Sequence, residues 1–332
     1  MPFWSRNRSV KSTRLLYATD VHGSEPTYRK FINAGKIYDV DVLILGGDLT
    51  GKLLVPIVDL GNQRYTATLQ SRRVELEGTE ELTAFQDRLA KLGFYDSVVT
   101  SSQYQELRDD PDRVNTIFQE QAAQRLRSWV RLAEERLADT EIRCYVTGGN
   151  DDDPEILEVL EQESRDRVVP CEGKLVELTE EGHVMASLGY SNPTPWDTPR
   201  EADEERMAEL IQDAISGLEN FSMAVFNFHA PPVDSALDTC PKLDPSTDPP
   251  TVITAGGEPV MFGAGSSAVR EAIERYQPLL SLHGHIHESR GKVMIGRTTA
   301  VNPGSEYGEA ILRGALVTLD GANVQSVQMT SG

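Results

Sequence analysis

Short apolar runs that break on Gly, Asp, Asn or His recur along this chain. Leu15-Leu16-Tyr17-Ala18-Thr19 runs into Asp20-Val21-His22-Gly23, and Val40-Asp41-Val42-Leu43-Ile44-Leu45 runs into Gly46-Gly47-Asp48-Leu49-Thr50-Gly51. Residues 142–146 close on Gly148-Gly149-Asn150-Asp151, residues 223–228 on His229-Ala230-Pro231-Pro232, and residues 279–282 on His283-Gly284-His285-Ile286-His287. Runs this short and this apolar read as strands, and the second is continuous enough to be covered on both faces. Helical patterning fills the spaces between them at 26–35, 154–163, 201–218 and 267–276. Asp153-Pro154 supplies an N-cap followed by proline at the first helical position.

The texture changes between the second and third runs. Residues 54–60 and 64–69 form a hairpin pattern around Gly61-Asn62, 74–76 adds a short strand, and helices follow at 79–92 and 111–138. The longer helix carries Val114, Ile117, Phe118, Ala122, Leu126, Trp129, Val130, Ala133 and Leu137 at helical spacing, so Phe118 and Trp129 are expected to pack. Later in the chain, 168–178 and 184–188 read as strands, with a rigid loop from Tyr190 to Trp196. Residues 231–265 form a proline-rich excursion too long for a plain connector. Strands at 293–295, 299–301 and 316–319 are expected to finish a second sheet.

Composition narrows the class. A chain of 332 residues can bury a full core, and 52 acidic against 32 basic residues give a net charge of -20. That charge repels nucleic-acid backbones and anionic lipid, so a small anionic substrate would have to find its positive charge locally. The basic residues divide into 24 Arg and 8 Lys, a surface that fits a salt-adapted or GC-rich source. Cys144, Cys171 and Cys240 have no paired spacing and suggest neither a disulfide framework nor a thiolate zinc site. The basic stretch 1–14 is followed by no apolar signal region, and no apolar run approaches a membrane span, so a soluble, cytoplasmic protein is expected.

In open α/β sheets, sites form where loops beyond the carboxyl ends of strands meet, and here five such loops carry ligand-type side chains. In an extended segment His283, His285 and His287 point the same way, with Gly284 freeing the backbone, and imidazole is the commonest metal ligand. The pattern therefore predicts a metal site. Asp152 and Asp153 are expected to cap or to be solvated, and His183 to be structural. Asn302-Pro303-Gly304-Ser305 reads as a tight turn. Tyr190, Asn192 and Trp196 are candidates for the rim of a cleft.

Taken in order, Asp20-x-His22, Gly47-Asp48, Gly149-Asn150-Asp151, His229 and Gly284-His285-x-His287 resemble the calcineurin-like metallophosphoesterase superfamily. The resemblance covers about 14–51 and 141–305, and its specificity lies in five motifs occurring in order on strands of the right kind. It implies an α/β fold, a four-layer αββα sandwich of two mixed sheets flanked by helices, as one domain over 1–332. The core would be 14–52 and 141–330, interrupted by a β-hairpin and helical insertion at 53–140. It further implies two divalent metal ions, drawn from Mn, Fe, Zn or Ni. Asp20, His22 and His287 would hold one, Asn150, His229 and His285 the other, with Asp48 bridging. A metal-bridging hydroxide would then attack the phosphorus of a small phosphate ester. Where phosphatases of this family carry a histidine after the asparagine, this chain has Asp151, and His283 is a candidate helper or a supporting residue. Asp151 favours a phosphodiesterase over a phosphomonoesterase. A non-catalytic scaffold of the same fold and a nuclease are the rival readings, the latter disfavoured by the charge. No membrane partner is expected, and oligomeric state is left open.

Overall fold

Alternate residues of the apolar strands face different neighbours, and that parity builds the layers. The computed structural model describes residues 12–247 and 249–332. The chain opens with β1 (Thr13–Ala18), α1 (Glu25–Ile37) and β2 (Val42–Gly46). The insertion follows as β3 (Leu54–Asp59), β4 (Arg64–Leu69), β5 (Arg72–Glu77), α2 (Gly78–Lys91), β6 (Tyr95–Thr100), α3 (Ser101–Asp109) and α4 (Pro111–Leu137). The core resumes with β7 (Arg143–Thr147), α5 (Pro154–Glu163), β8 (Val168–Pro170), β9 (Leu175–Glu177), β10 (Val184–Leu188), α6 (Glu204–Ala214) and β11 (Ala224–Phe228).

Three two-stranded ribbons make up the excursion. β12 (Thr239–Pro241) pairs with β17 (Met261–Gly263), β13 (Leu243–Asp244) with β14 (Thr251–Val252), and β15 (Thr254–Ala255) with β16 (Glu258–Pro259). The chain ends through α7 (Ser267–Tyr276), β18 (Leu280–Leu282), β19 (Gly291–Ile295), β20 (Thr298–Asn302), β21 (Arg313–Asp320) and β22 (Asn323–Ser331).

Two six-stranded mixed sheets result, in the orders β22-β21-β1-β2-β7-β8 and β19-β20-β18-β11-β10-β9. Leu15, Tyr17, Val42, Ile44 and Tyr145 of the first sheet meet Met185, Val225, Leu280 and Val301 of the second in one buried cluster between them. The neighbours of opposite parity, Leu16, Leu43, Leu45, Cys144 and Val146, pack outward with Phe31 of α1, Trp129 of α4 and Ile156 of α5. On the other side, Ala186, Phe226 and Phe228 pack with Met207 and Ile211 of α6 and Val269 and Ile273 of α7. This is a helix-sheet-sheet-helix sandwich. The insertion forms a separate four-stranded sheet, β5-β4-β3-β6, whose Val55, Ile57, Ala67 and Leu76 pack with Phe85 and Leu89 of α2.

Several expected elements shift. The 168–178 stretch is two strands in two different sheets. The turn at Cys171 to Lys174 breaks it, with Cys171 N–H donating to Val146 O (3.0 Å) in the first sheet and Gly173 N–H to Ser187 O (3.0 Å) in the second. Residues 316–319 join the first sheet, where β21 pairs antiparallel with β1, and not the second. Periodicity marks a strand but not its partner. The helix expected from 201 starts at Glu204 because the Asp203 carboxylate caps it, accepting from Arg206 N–H at 2.8 Å. β6, α3 and β22 have no counterpart in the pattern reading. Among the described residues no helix is long and apolar enough to cross a membrane.

One polar clamp ties the long helix to the sheet edge. The Glu134 carboxylate of α4 accepts the N–H groups of Arg165 (2.9 Å), Asp166 (3.3 Å), Arg167 (3.0 Å) and Val168 (2.9 Å) at the start of β8. Burial alone would raise its pKa, but these four donors favour the ionised form and hold it below the ordinary 4.5. A lowered folded-state pKa means stability present above about pH 4.5 and lost as pH falls through the folded value. Glu134→Ala should therefore cost about 1–2 kcal/mol at pH 7, with solvent taking up part of the loss at this half-buried site. Urea melts should show that cost shrinking toward pH 3, and an equal cost at both pH values would refute the clamp.

Candidate metal centre

The loops after β1 and β2 run side by side, which brings their carboxylates together. Asp20 N–H donates to Gly47 O (2.9 Å), His22 N–H to Asp48 O (2.9 Å) and Gly23 N–H to Leu49 O (2.8 Å). Asp20, His22 and Asp48 lie in the left-handed region at φ 53°, 39° and 50°, as does His285 at 66°. Such φ values are uncommon for residues with a Cβ and persist only where surroundings dictate them. Gly149 makes room for the next loop, since a Cβ there would collide with the Asp48 carboxylate. The second sheet closes the site: His229 Nδ1 meets Gly46 O at 3.0 Å, Gly284 N–H donates to His229 O (2.9 Å), and His285 N–H donates to the Asp20 carboxylate (3.1 and 3.2 Å).

Three overlapping groups of donor atoms result, each with all its atoms within 4.8 Å of one another. They are Asp20, His22 and His287; Asp48, His229 and His285; and His22, Asp48 and Asp151. The Nε2 atoms of His22 and His287 face each other at 3.1 Å. Asn150 Oδ1 lies 2.8 Å from His285 Nδ1, and Asp48 Oδ2 stands between His22 Nε2 (3.5 Å) and His229 Nε2 (3.4 Å). Asp20, His22, Asp48, Asn150 and His229 are buried, while His285 and His287 are half-buried.

The electrostatics fit a cation. Burial would raise Asp20 and Asp48, but His287 and His229 beside Asp20 hold it at about 2, and His229 and His22 hold Asp48 well below the usual range. Both are therefore ionised. Burial, reinforced by the Lys52 charge, pushes His22 down, and burial with neighbouring His229 pushes His285 to about 4, leaving both rings neutral with lone pairs to offer. His229 runs the other way. Burial would lower it, yet Asp48 and Asp20 push it up to about 10. Its Nε2, like His22 Nδ1, is buried with no hydrogen-bond partner among the described residues. A buried imidazole nitrogen facing two carboxylates is where a cation belongs. These Asp and His groups can bind metal ions.

His283 does not join them, and the same-face reading of the three histidines fails. Its Nδ1 meets Phe228 O (2.8 Å) and Ala230 O (3.0 Å), its Nε2 meets Ser281 Oγ (2.8 Å), and burial lowers it to about 4. The left-handed turn at His285 breaks the alternation, so His283 braces the loop beneath the site. Asp151 sits at the rim. Its N–H donates to Asp48 Oδ1 (3.0 Å), and its carboxyl, raised to about 6 by burial and by Asp48, pairs with Lys52 Nζ at 2.7 Å.

No family model matches the chain. An uncharacterized protein of Methanocaldococcus jannaschii is 31% identical over 121 residues, 36% of this chain, and the chain spans about half (47%) of that relative's length. One solved crystal structure superposes at a TM-score of 0.58 with 15% identity, over 96% of this chain and 98% of that one. A crystal structure of a Thermus thermophilus protein gives 0.51 and 13%, over 97% and 99%. Both show a shared fold. A structure described as a novel archaeal phosphodiesterase aligns at only 0.32 with 10% identity, over 96% and 99%.

Several residues that shape the centre were not visible as such in the sequence. Asp152, expected to cap or be solvated, is fully buried and accepts from Leu49 N–H (2.9 Å), Thr50 N–H (2.8 Å), Gly149 N–H (2.8 Å) and Thr50 Oγ1 (2.7 Å), locking the second loop to the third. Arg200, also buried, donates to Gly149 O (3.1 Å), pairs with Glu172 and covers the Tyr190 ring at 4.7 Å. Asn302 is more than a turn residue. Its amide donates to Leu237 O (3.2 Å), Gly284 O (3.2 Å) and Ile286 O (3.0 Å), while Ser305 Oγ donates to Asp20 O (2.7 Å). The Tyr307 ring lies 4.6 Å from that of His22. Lys52 alone had a readable signal, since it directly follows the Gly47-Asp48 loop. Of the rim candidates, Asn192 is tied to Ala264 O (3.1 Å), and Trp196 is exposed. His183 is held by Thr179 Oγ1 and Gly321 O, both at 2.8 Å, in a structural role.

Two outcomes follow. Asp152→Ala, which strands three buried N–H groups, should lower the unfolding free energy by about 3 kcal/mol or more in urea. A divalent cation at a hundredfold excess over its Kd should stabilise the protein by about 2.7 kcal/mol for each site it fills. Calorimetry should record this as a raised midpoint that EDTA reverses and Asp48→Asn greatly reduces; an unmoved midpoint with Mn, Zn, Ni and Fe alike would rule the centre out.

Proposed function

We propose that this chain is a metal-dependent phosphoesterase that prefers phosphodiesters to phosphomonoesters. The observation that carries the reading is the placement of Asp48 Oδ2 between histidines of two donor groups, 3.5 Å from His22 and 3.4 Å from His229. A carboxylate so placed suits a pair of cations. Asp20, His22 and His287 would hold one, Asn150, His229 and His285 the other, with Asp48 shared; Mn, Fe, Zn and Ni all accept such mixed oxygen and nitrogen donors. Bound there, such ions lower the pKa of water and neutralise phosphoryl charge. The acidic chain thereby gains the local positive charge that a small anionic ester requires.

The remaining work falls to the protein. The ionised Asp20 and Asp48 and the neutral amide of Asn150 match the charge of the cations without extinguishing it. Asp152, Arg200 and Asn302 hold the loops in register, so the donors need little rearrangement. Asp151, where related phosphatases carry histidine, places a carboxyl at the rim. With that carboxyl held by Lys52 in the place of the histidine, attack by hydroxide suits diesters or activated esters.

Mn-loaded protein should hydrolyse bis-p-nitrophenyl phosphate faster than p-nitrophenyl phosphate, and Asp48→Asn should lower kcat at least a thousandfold with far-UV circular dichroism unchanged. Ready monoester turnover without diester turnover would sink the diester preference. Inactivity toward both in Mn, Fe, Zn and Ni would sink the phosphoesterase reading.

A further inference from the structure

We propose that Lys52 is the phosphoryl-oxygen binding residue of this site, aimed there by the insertion that follows it. The inference rests on the phosphoesterase reading and goes beyond it by naming the protein group that would touch the substrate's non-bridging oxygens.

The loops that form the centre carry four carboxylates, Asp20, Asp48 and Asp152 buried and Asp151 at the rim. Among the described residues Lys52 is the one lysine or arginine that pairs with any of them, at 2.7 Å from Asp151 Oδ2. Arg200 is buried behind the third loop and committed to Glu172 and Gly149 O. An ammonium has three donors, and the pair with Asp151 uses one of them. The other two remain for phosphoryl oxygens, and with 48% of its side chain exposed Lys52 can meet a ligand arriving from solvent. Asp151 Oδ2 is itself 3.6 Å from His22 Nδ1, so the ammonium pairs with the outermost carboxylate of the donor groups.

Lys52 is not an ordinary surface lysine, because its backbone is held on both sides by one tyrosine. Gly51 N–H donates to Tyr95 Oη (2.8 Å), and Tyr95 N–H donates to Leu53 O (2.8 Å). Tyr95, at the start of β6, is buried, and burial pushes its phenol up to about 12, so it stays protonated. The Arg125 guanidinium of α4 lies over its ring at 4.8 Å and donates to Gly23 O (2.7 Å) in the first ligand loop and to Phe94 O (3.2 Å). Gly51 and Gly93 pack so closely that a Cβ on Gly51 would collide with Gly93 O. The insertion is thus fastened to the ligand loops at the residue before Lys52, and its β6 and α4 fix where that side chain starts.

Isothermal titration of orthophosphate into Mn-loaded native protein, Lys52→Met and Lys52→Arg tests this, with metal content measured by mass spectrometry on each. The expected result is a Kd at least tenfold weaker for Lys52→Met, about 1.4 kcal/mol, at unchanged metal content and thermal midpoint. Lys52→Arg, which keeps the charge, should recover most of the affinity, and KM for bis-p-nitrophenyl phosphate should follow the same order. Phosphate binding to Lys52→Met as tight as to native protein overturns the inference and leaves the phosphoesterase reading standing. Native, metal-loaded protein that neither binds phosphate nor hydrolyses either ester overturns both. A Lys52→Met that loses metal along with phosphate affinity also overturns it, because Lys52 would then act on the metal donors.

Discussion

Two carboxylates, Asp20 and Asp48, are buried side by side at the meeting point of two sheets, and most of what surrounds them answers to that fact. An uncompensated buried charge costs several kcal/mol, and two of like sign cost more. The compensation comes from every layer. His285 and Asp151 each give a backbone N–H, while the rings of His287 and His229 hold Asp20 ionised and those of His229 and His22 hold Asp48 so. The left-handed backbone at Asp20, His22, Asp48 and His285 is the strain accepted in return. A site that keeps two acids charged in the interior calls for positive charge beside them, and Asp48 and Asp20 accordingly push His229 up to about 10 against the effect of its burial.

Rigidity is supplied by polar groups that belong to none of the three donor groups. Asp152 stitches the second loop to the third, Arg200 backs the third, and Asn302 threads the histidine loop. His283 belongs to this set, with both ring nitrogens engaged below the loop. Each of these side chains satisfies backbone groups that the turns leave without ladder partners, so each loop is held by hydrogen bonds drawn from outside itself.

The insertion is held differently. It brings its own sheet and apolar cluster, yet it meets the centre through a small polar joint of Tyr95, Arg125 and the closely packed Gly51 and Gly93. On a chain with a net charge of -20, a lysine placed by such a joint is a local exception to the field around it.

The sequence by itself determined the five strands that end in donor residues, the loops that follow them and the residue types those loops carry. Apolar runs closing on Asp20, Asp48, Asn150, His229 and His285 are local facts, and parity within each run sorts its residues into the layer between the sheets or the layer under the helices. Partner choice was beyond it. Residues 316–319 pair with β1, and 168–178 splits between sheets, because an apolar strand reads alike beside any neighbour. The roles of Asp152, Arg200 and Asn302 were hidden, and the choice between the two readings of His283 was left open, for the same reason: a buried polar side chain is defined by which distant backbone groups it satisfies. The distant ones among their partners lie 16 to 103 residues away, and only the closed sandwich brings them within hydrogen-bond distance.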